Sequence, residues 1–369
     1  VTAGDLPWLS GAGPVRPDGS PVTGTVGDAG LGLATAREAA PARRVRRIRR
    51  SGFLTPAPAV GSFTGVTLPR GLDAVPALRP GDHVCRSFTG GADLAAAVVP
   101  FLDEGRRRGE HLLLVGPSRP ALLAAVSALP HRDAMLADGR LELQATADCY
   151  SAGAALDPVE QVRRYRGATD AALVAGRTGL RVAADVTALL HGGRSGRRLL
   201  HAYEQLADAL MGTVPMTAMC LYDASVGPDV LGPVAVLHPV QALGDRPPQA
   251  HLSARGPVLS LHGEVDLSEA ASVATALVDV AGVHGVPGEH GVPGGHGVPG
   301  GPAREVVLDL SDLAFLDVAG ARALHGATRE LAGRGTALRL TGTHRGVRRC
   351  LDLFGLGVPA PGPSGPEPA

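Results

Sequence analysis

The stretch Glu305 to Gly320 reads E-V-V-L-D-L-S-D-L-A-F-L-D-V-A-G. Its opening is a short apolar run of the length of a buried strand, and its close places an aspartate where a helix would begin. The pattern therefore predicts a strand that turns through Asp317 into a helix. A helix N-terminus presents unpaired backbone N–H groups and partial positive charge, so Asp317 is expected to cap it. Gly320, without a side chain, lets the helix approach its neighbours closely. Capped strand-to-helix turns occur in many α/β domains, so the flanking sequence decides what this one means.

Upstream, Gly256 to Leu261 alternates as a strand and runs into His262-Gly263-Glu264-Val265-Asp266, where a helix is expected to start; Leu267-Ser268-Glu269 leads into A-A-S-V-A-T-A-L-V-D-V, apolar at helical spacing. Downstream, Ala321 to Ala332 reads as a helix, T-A-L-R-L-T as a strand and Arg345 to Phe354 as an amphipathic helix. This element order, with V-x-x-D-L-S-x-x-x-F-x-D running from Val306 to Asp317, resembles the STAS domains, the anti-sigma factor antagonists, over about residues 250–357. The resemblance implies a protein-binding surface made by Asp317, Val318, Ala319, Gly320 and Arg322 with Gly263 and Asp266. It implies as partner an anti-sigma factor, a GHKL-type kinase, or a related regulator. In that family the partner kinase phosphorylates a serine directly after the aspartate, and the added charge disrupts docking. Val318 stands at that position and has no hydroxyl. Ser311 and Thr328 are the nearby hydroxyls, and neither occupies the switch position.

Between this domain's first helix and the Val306 strand, His284 to Gly301 repeats H-G-V-P-G-E/G three times. Val-Pro-Gly units make successive turns with little apolar content, which predicts a mobile loop. Its histidines, six apart, are more simply explained as a tolerated surface repeat than as metal ligands. At the other end, residues 1–72 read as a Pro/Gly/Arg-rich disordered leader, with R-R-V-R-R-I-R-R from Arg43 to Arg50. That basic run either grips phosphates or an anionic membrane surface, or is a solvated charge run. Val1 reads as a GTG start translated literally, and residues 358–369 as a disordered tail.

The chain of 369 residues carries 51 Gly and 31 Pro, enough length for two domains plus irregular segments. Net charge is zero and aromatics make up 3%, so nothing global points to nucleic acid, and no apolar run approaches the roughly 20 residues of a membrane span. These features predict a soluble cytoplasmic protein without direct DNA binding. Cys85, Cys149, Cys220 and Cys350 are scattered without C-x-x-C spacing and are expected to be thiols. Lysine is absent throughout, which excludes a P-loop ATPase or Schiff-base chemistry.

Between Ala74 and Val240, strands are predicted at His111–Val115, Leu141–Ala145, Leu180–Asp185, Met216–Tyr222 and Val234–Leu237. Helices are predicted at Ala92–Arg108, Arg119–Ala128, Val159–Ala175 and Arg197–Met211. Alternation of this kind implies a mostly parallel sheet covered on both faces, with ligands at the carboxyl ends of its strands. Several motifs carry a second resemblance: Gly81-Asp82-His83-Val84-Cys85, F-L-D-E-G-R-R-R-G-E before H-L-L-L-V, Leu180 to Asp185, Tyr203-Glu204, Cys220-Leu221-Tyr222-Asp223 and His238-Pro239. Together they resemble MEDS, a sensory domain of methanogens and methylotrophs with a RecA-type fold, which implies a role in signalling and transcription control.

Within this domain the candidate ligand-binding residues are His83, Cys85, Ser118, Arg119, Asp185, Glu204, Tyr222 and His238. Ser118 and Arg119 open a helix after the loop V-G-P-S-R-P, where exposed N–H groups favour an anion. His83 and Cys85, two apart on a strand, share one face. They either join His238 around a metal or lie together in the core; the core reading is preferred, because one H-x-C lacks the second ligand pair of a closed zinc site. Asp185 and Glu204 are polar pocket candidates, or partners for Arg181 or Arg198. No catalytic residue, metal site or cofactor is assigned. The expectation is a RecA-like sensory domain over residues 73–242, followed by a small STAS α/β domain over 250–357 that binds a protein. A stressosome-like scaffold and a nucleotide-dependent enzyme are the alternatives.

Overall fold

The computed structural model describes residues 69–72, 78–150, 156–244, 249–256, 258–284 and 304–357. The leader up to residue 68, with its arginine run, the repeat after His284 and the tail from 358 lie outside them. The first domain is built from β1 (Arg70–Gly71), β2 (His83–Phe88), α1 (Gly90–Arg108), β3 (His111–Gly116), α2 (Arg119–Ala125), α3 (Arg132–Ala137), β4 (Leu141–Ala145) and α4 (Thr146–Cys149). It continues with α5 (Pro158–Val174), β5 (Leu180–Asp185), α6 (Gly193–Met211), β6 (Met216–Asp223), α7 (Pro228–Ala235) and β7 (Val240–Ala242). Its seven strands lie in the order β1-β7-β2-β6-β5-β3-β4, and every pairing is parallel.

That sheet is covered on both faces, as near-continuous apolar strands require. On β2 and β6 the alternation is clear: Val84, Met219 and Leu221 pack under α1 and α2, whereas Cys85, Cys220 and Tyr222 face α6 and α7. The second domain holds β8 (Ala250–Arg255), β9 (Val258–Val265), α8 (Ala270–His284), β10 (Arg304–Asp309), β11 (Leu313–Leu316), α9 (Val318–Gly333), β12 (Thr336–Thr341) and α10 (Arg345–Asp352). β9 pairs antiparallel with β8 and parallel with β10 and then β11, while β12 pairs parallel with β10.

Three expectations need correction. Val234–Leu237 is not a strand: its apolar residues close α7 and the turn after it, with Gly227 at φ 86° before the helix and Pro228 at its first turn. A short run apolar on all sides does not distinguish a buried strand from a buried helix. The Glu305 stretch is two strands, because Asp309 accepts from the backbone N–H and hydroxyl of Ser311 (3.0 and 2.6 Å) and turns the chain between β10 and β11. No helix starts at His262 to Asp266; β9 runs on to Val265, and α8 begins at Ala270.

The domains share a packed boundary. Val236 and Leu237, at the exit of α7, lie in the apolar core of the second domain. The Leu252 N–H donates to the Val236 carbonyl (2.7 Å), and Gln241 Nε2 donates to that of Ala250 (3.0 Å). Asp279 of α8 meets His201 of α6 at 2.9 Å and Arg198 at 3.5 Å.

Candidate functional site

Glu204 lies fully buried on the face of α6 that packs on the sheet. One carboxylate oxygen accepts from the Tyr222 hydroxyl at 2.6 Å. The other, Oε2, lies 3.3 Å from His83 Nε2, 3.5 Å from His238 Nε2 and 3.4 Å from Cys220 Sγ. Cys220 Sγ is also 3.4 Å from His83 Nε2, and the imidazole rings of His83 and His238 meet at a tilt of 40° with centroids 3.9 Å apart. His83 begins β2, Cys220 and Tyr222 project from β6, and His238 follows α7, so four elements converge on one buried spot.

The charge state follows from the surroundings. Burial opposes ionisation of Glu204, but the imidazoles of His238 and His83 beside it outweigh burial and hold the carboxyl well below its usual range. Burial also works against His83, yet Asp208 and Glu204 reverse the balance and draw it above the ordinary histidine value. His238 moves down, through burial and then the neighbouring charge of His83. Burial and the Glu204 charge push the Cys220 thiol well up.

Asp208 extends the cluster toward the second domain. One turn beyond Glu204 on α6, it lies 3.6 Å from His83 Nδ1 and 3.5 Å from Nε2 of His251 on β8. His251 in turn stacks on His262 of β9 with centroids 5.5 Å apart. A polar path of side chains thus runs from the buried cluster to β9, which contains Gly263 and ends just before Asp266.

The structure divides the predicted ligand residues. His83, Cys85, Glu204, Tyr222 and His238 come together, with Cys85 opposite Cys220 in register. Ser118, Arg119 and Asp185 lie elsewhere, at the carboxyl ends of β3 and β5. Ser118 caps the seven-residue α2 through the Ala121 N–H (3.4 Å). Asp185 accepts from the hydroxyl and N–H of Thr187, 2.6 and 3.1 Å away. Neither acid pairs with the arginines considered: Arg181 is bonded to Glu110, and Arg198 meets Asp279. Asp208 and Cys220 were missed as site residues. Two acids four apart in a largely apolar helix, placing both on one face, are the signal that marks Asp208.

At the second domain's helix start, Asp317 Oδ1 accepts from the Gly320 N–H (2.7 Å), capping α9, and Oδ2 accepts from the Leu267 N–H (3.1 Å). A Cβ on Gly320 would meet the Val265 carbonyl at 2.8 Å, which explains the glycine. Asp266 holds Ser268 through its hydroxyl and N–H at 2.6 and 2.7 Å. Around this cap three large apolar side chains face solvent: Leu267 (78% exposed), Phe315 (48%) and Val318 (47%). Arg322 is exposed one turn on, and Ala319 is half-buried. Ser311 and Thr328 donate to Asp309 and to the Leu324 carbonyl within their own turns.

Residues 82–239 match the family model of the methanogen/methylotroph DcmR sensory domain, MEDS, and residues 248–358 match that of the STAS domain. A search of curated proteins returned no match. Among the described residues, no helix is long and apolar enough to cross a membrane.

Proposed function

Because this chain joins a MEDS sensory domain to a STAS domain, we propose that it is an anti-sigma factor antagonist-like regulator of transcription. In this reading the MEDS domain controls docking of a protein partner on the STAS surface around Asp317. The observation that carries it is the exposed apolar group of Leu267, Phe315 and Val318 around a fixed helix start. Exposed apolar side chains grouped on a rigid frame favour a protein partner. An anti-sigma factor of the GHKL-type kinase fold is the partner class the STAS match supports. Val318 stands where a phosphorylated serine would act, so control passes to the sensory domain. Asp208, between His83 and His251, supports that route. No reaction is assigned to the chain.

Val318→Asp provides the test. A carboxylate in the first turn of α9 favours the helix by about 0.3–1 kcal/mol, so folding is retained while a charge enters the apolar surface. Full-length wild type is expected to capture a GHKL-fold ATPase from host lysate, and the variant to lose it with an unchanged or slightly raised melting temperature. Identical captured proteins from both chains would move the docking site elsewhere.

A further inference from the structure

We infer that His83, Glu204, Cys220 and His238 form a closed tetrahedral site for a divalent transition metal of the zinc type. The ligands are two imidazoles, one thiolate and one carboxylate. Their four ligand atoms all lie within 4.8 Å of one another, and all four residues are buried. Zinc bonds of about 2.0–2.3 Å in tetrahedral geometry place ligand atoms about 3.3–3.6 Å apart. Four of the separations, Glu204 Oε2 to His83 Nε2, to Cys220 Sγ and to His238 Nε2, and Cys220 Sγ to His83 Nε2, are 3.3 to 3.5 Å and fall in that range, and the remaining ligand atoms lie within 4.8 Å of one another.

Hydrogen bonding alone leaves this cluster incomplete. His238 Nδ1 lies 2.9 Å from the Val234 carbonyl, so it carries a proton, and the ring turns Nε2 toward Glu204. That Nε2 is buried and has no hydrogen-bond partner. A divalent ion between that Nε2 and the Glu204 carboxylate would bond to both. The outer groups suit the same reading: metal-bound imidazoles direct their second nitrogen to a carbonyl or carboxylate. His238 does so toward Val234 and His83 toward Asp208, while the Tyr222 hydroxyl holds the remaining oxygen of Glu204.

The charges balance as well. A divalent ion held by one thiolate, one carboxylate and two neutral imidazoles is neutral overall, and such ligands must be deprotonated to bind. Mixed nitrogen, sulfur and oxygen donors in a tetrahedral set select zinc over magnesium or calcium. Four protein ligands leave no open position for a substrate, so the site is structural or sensory and not hydrolytic. The assignment does not rest on the partner reading and can fail or stand apart from it.

The test uses the untagged full-length chain with Zn²⁺ and Co²⁺ as probes. It compares wild type with Cys220→Ser, Asp208→Asn and a variant whose repeat histidines, His284, His290 and His296, are alanine. Wild type and the repeat variant are expected to hold about one metal per chain by elemental analysis. Their cobalt forms should show tetrahedral visible bands and a thiolate charge-transfer band. Cys220→Ser is expected to lose the charge-transfer band, and Asp208→Asn to bind about 10–100-fold more weakly. If Cys220→Ser does not fold, the wild-type cobalt spectrum and the Asp208→Asn affinity decide. Wild type that takes up no metal, or metal that disappears with the repeat histidines, would overturn the assignment.

Discussion

Glu204→Ala is expected to destabilise the first domain by about 3–5 kcal/mol, the cost of removing one partner from a buried charged group. For a domain of this size that corresponds to a fall in melting temperature of roughly 10 °C. The substitution strips the acceptor from the Tyr222 hydroxyl and the counter-charge from His83, both fully buried. Both groups are shut off from solvent in the fold, so the desolvation cost is felt. Glu204→Gln keeps an oxygen for Tyr222 but not the charge and should fall between. Urea unfolding of the three chains measures the order. A loss below about 1 kcal/mol for Glu204→Ala would mean that the cluster is held by its apolar surroundings.

Gly263→Ala is the second large expected loss, and Gly256→Ala separates its two causes. Both glycines have left-handed backbone, φ 85° and 57°, which costs an L-residue about 1–2 kcal/mol. At Gly256 an added Cβ meets nothing within 4 Å, so that conformational cost is all that is expected. At Gly263 the same atom falls 2.1 Å from the Gln249 carbonyl oxygen and 2.9 Å from Pro69. The carbonyl is backbone and cannot turn aside, so overpacking adds about 1–3 kcal/mol. Equal losses at the two positions would show that the chain around Gln249 yields. A disturbed β8–β9 hairpin would also shift His251, which ties this position to the path from Asp208.

Much of this architecture is legible in the sequence because local signals agree with the tertiary result. Asp317 and Gly320 read as cap and close-packing position, and they are those in space. Strands β3, β4, β5 and β6 are apolar runs bounded by turn residues, and they appear with bounds at or near those expected. Failures arose where local pattern is ambiguous. The V-A-V-L run after Pro233 is buried on every side as the end of α7, so its periodicity is erased. The expectation that ligands sit at strand carboxyl ends located Ser118, Arg119 and Asp185 but not the buried cluster. That cluster depends on α6 and α7 folding over the middle of β6, a long-range fact no window of sequence contains. His83, Cys85, Glu204 and His238 are each legible as candidates in the sequence, but their juxtaposition, and the place of Cys220 among them, depends on the tertiary fold.

The most direct test of sensory control over the STAS surface is quantitative capture from host lysate by full-length wild-type and Asp208→Asn chains. Asp208→Asn keeps the shape of the side chain but removes the charge shared by His83 and His251. The yield of the Val318-dependent partner is expected to change by about fivefold or more, the lower end of typical coupling between sites. Equal yields from two chains with the same circular dichroism would contradict control through this path and leave the STAS surface acting on its own.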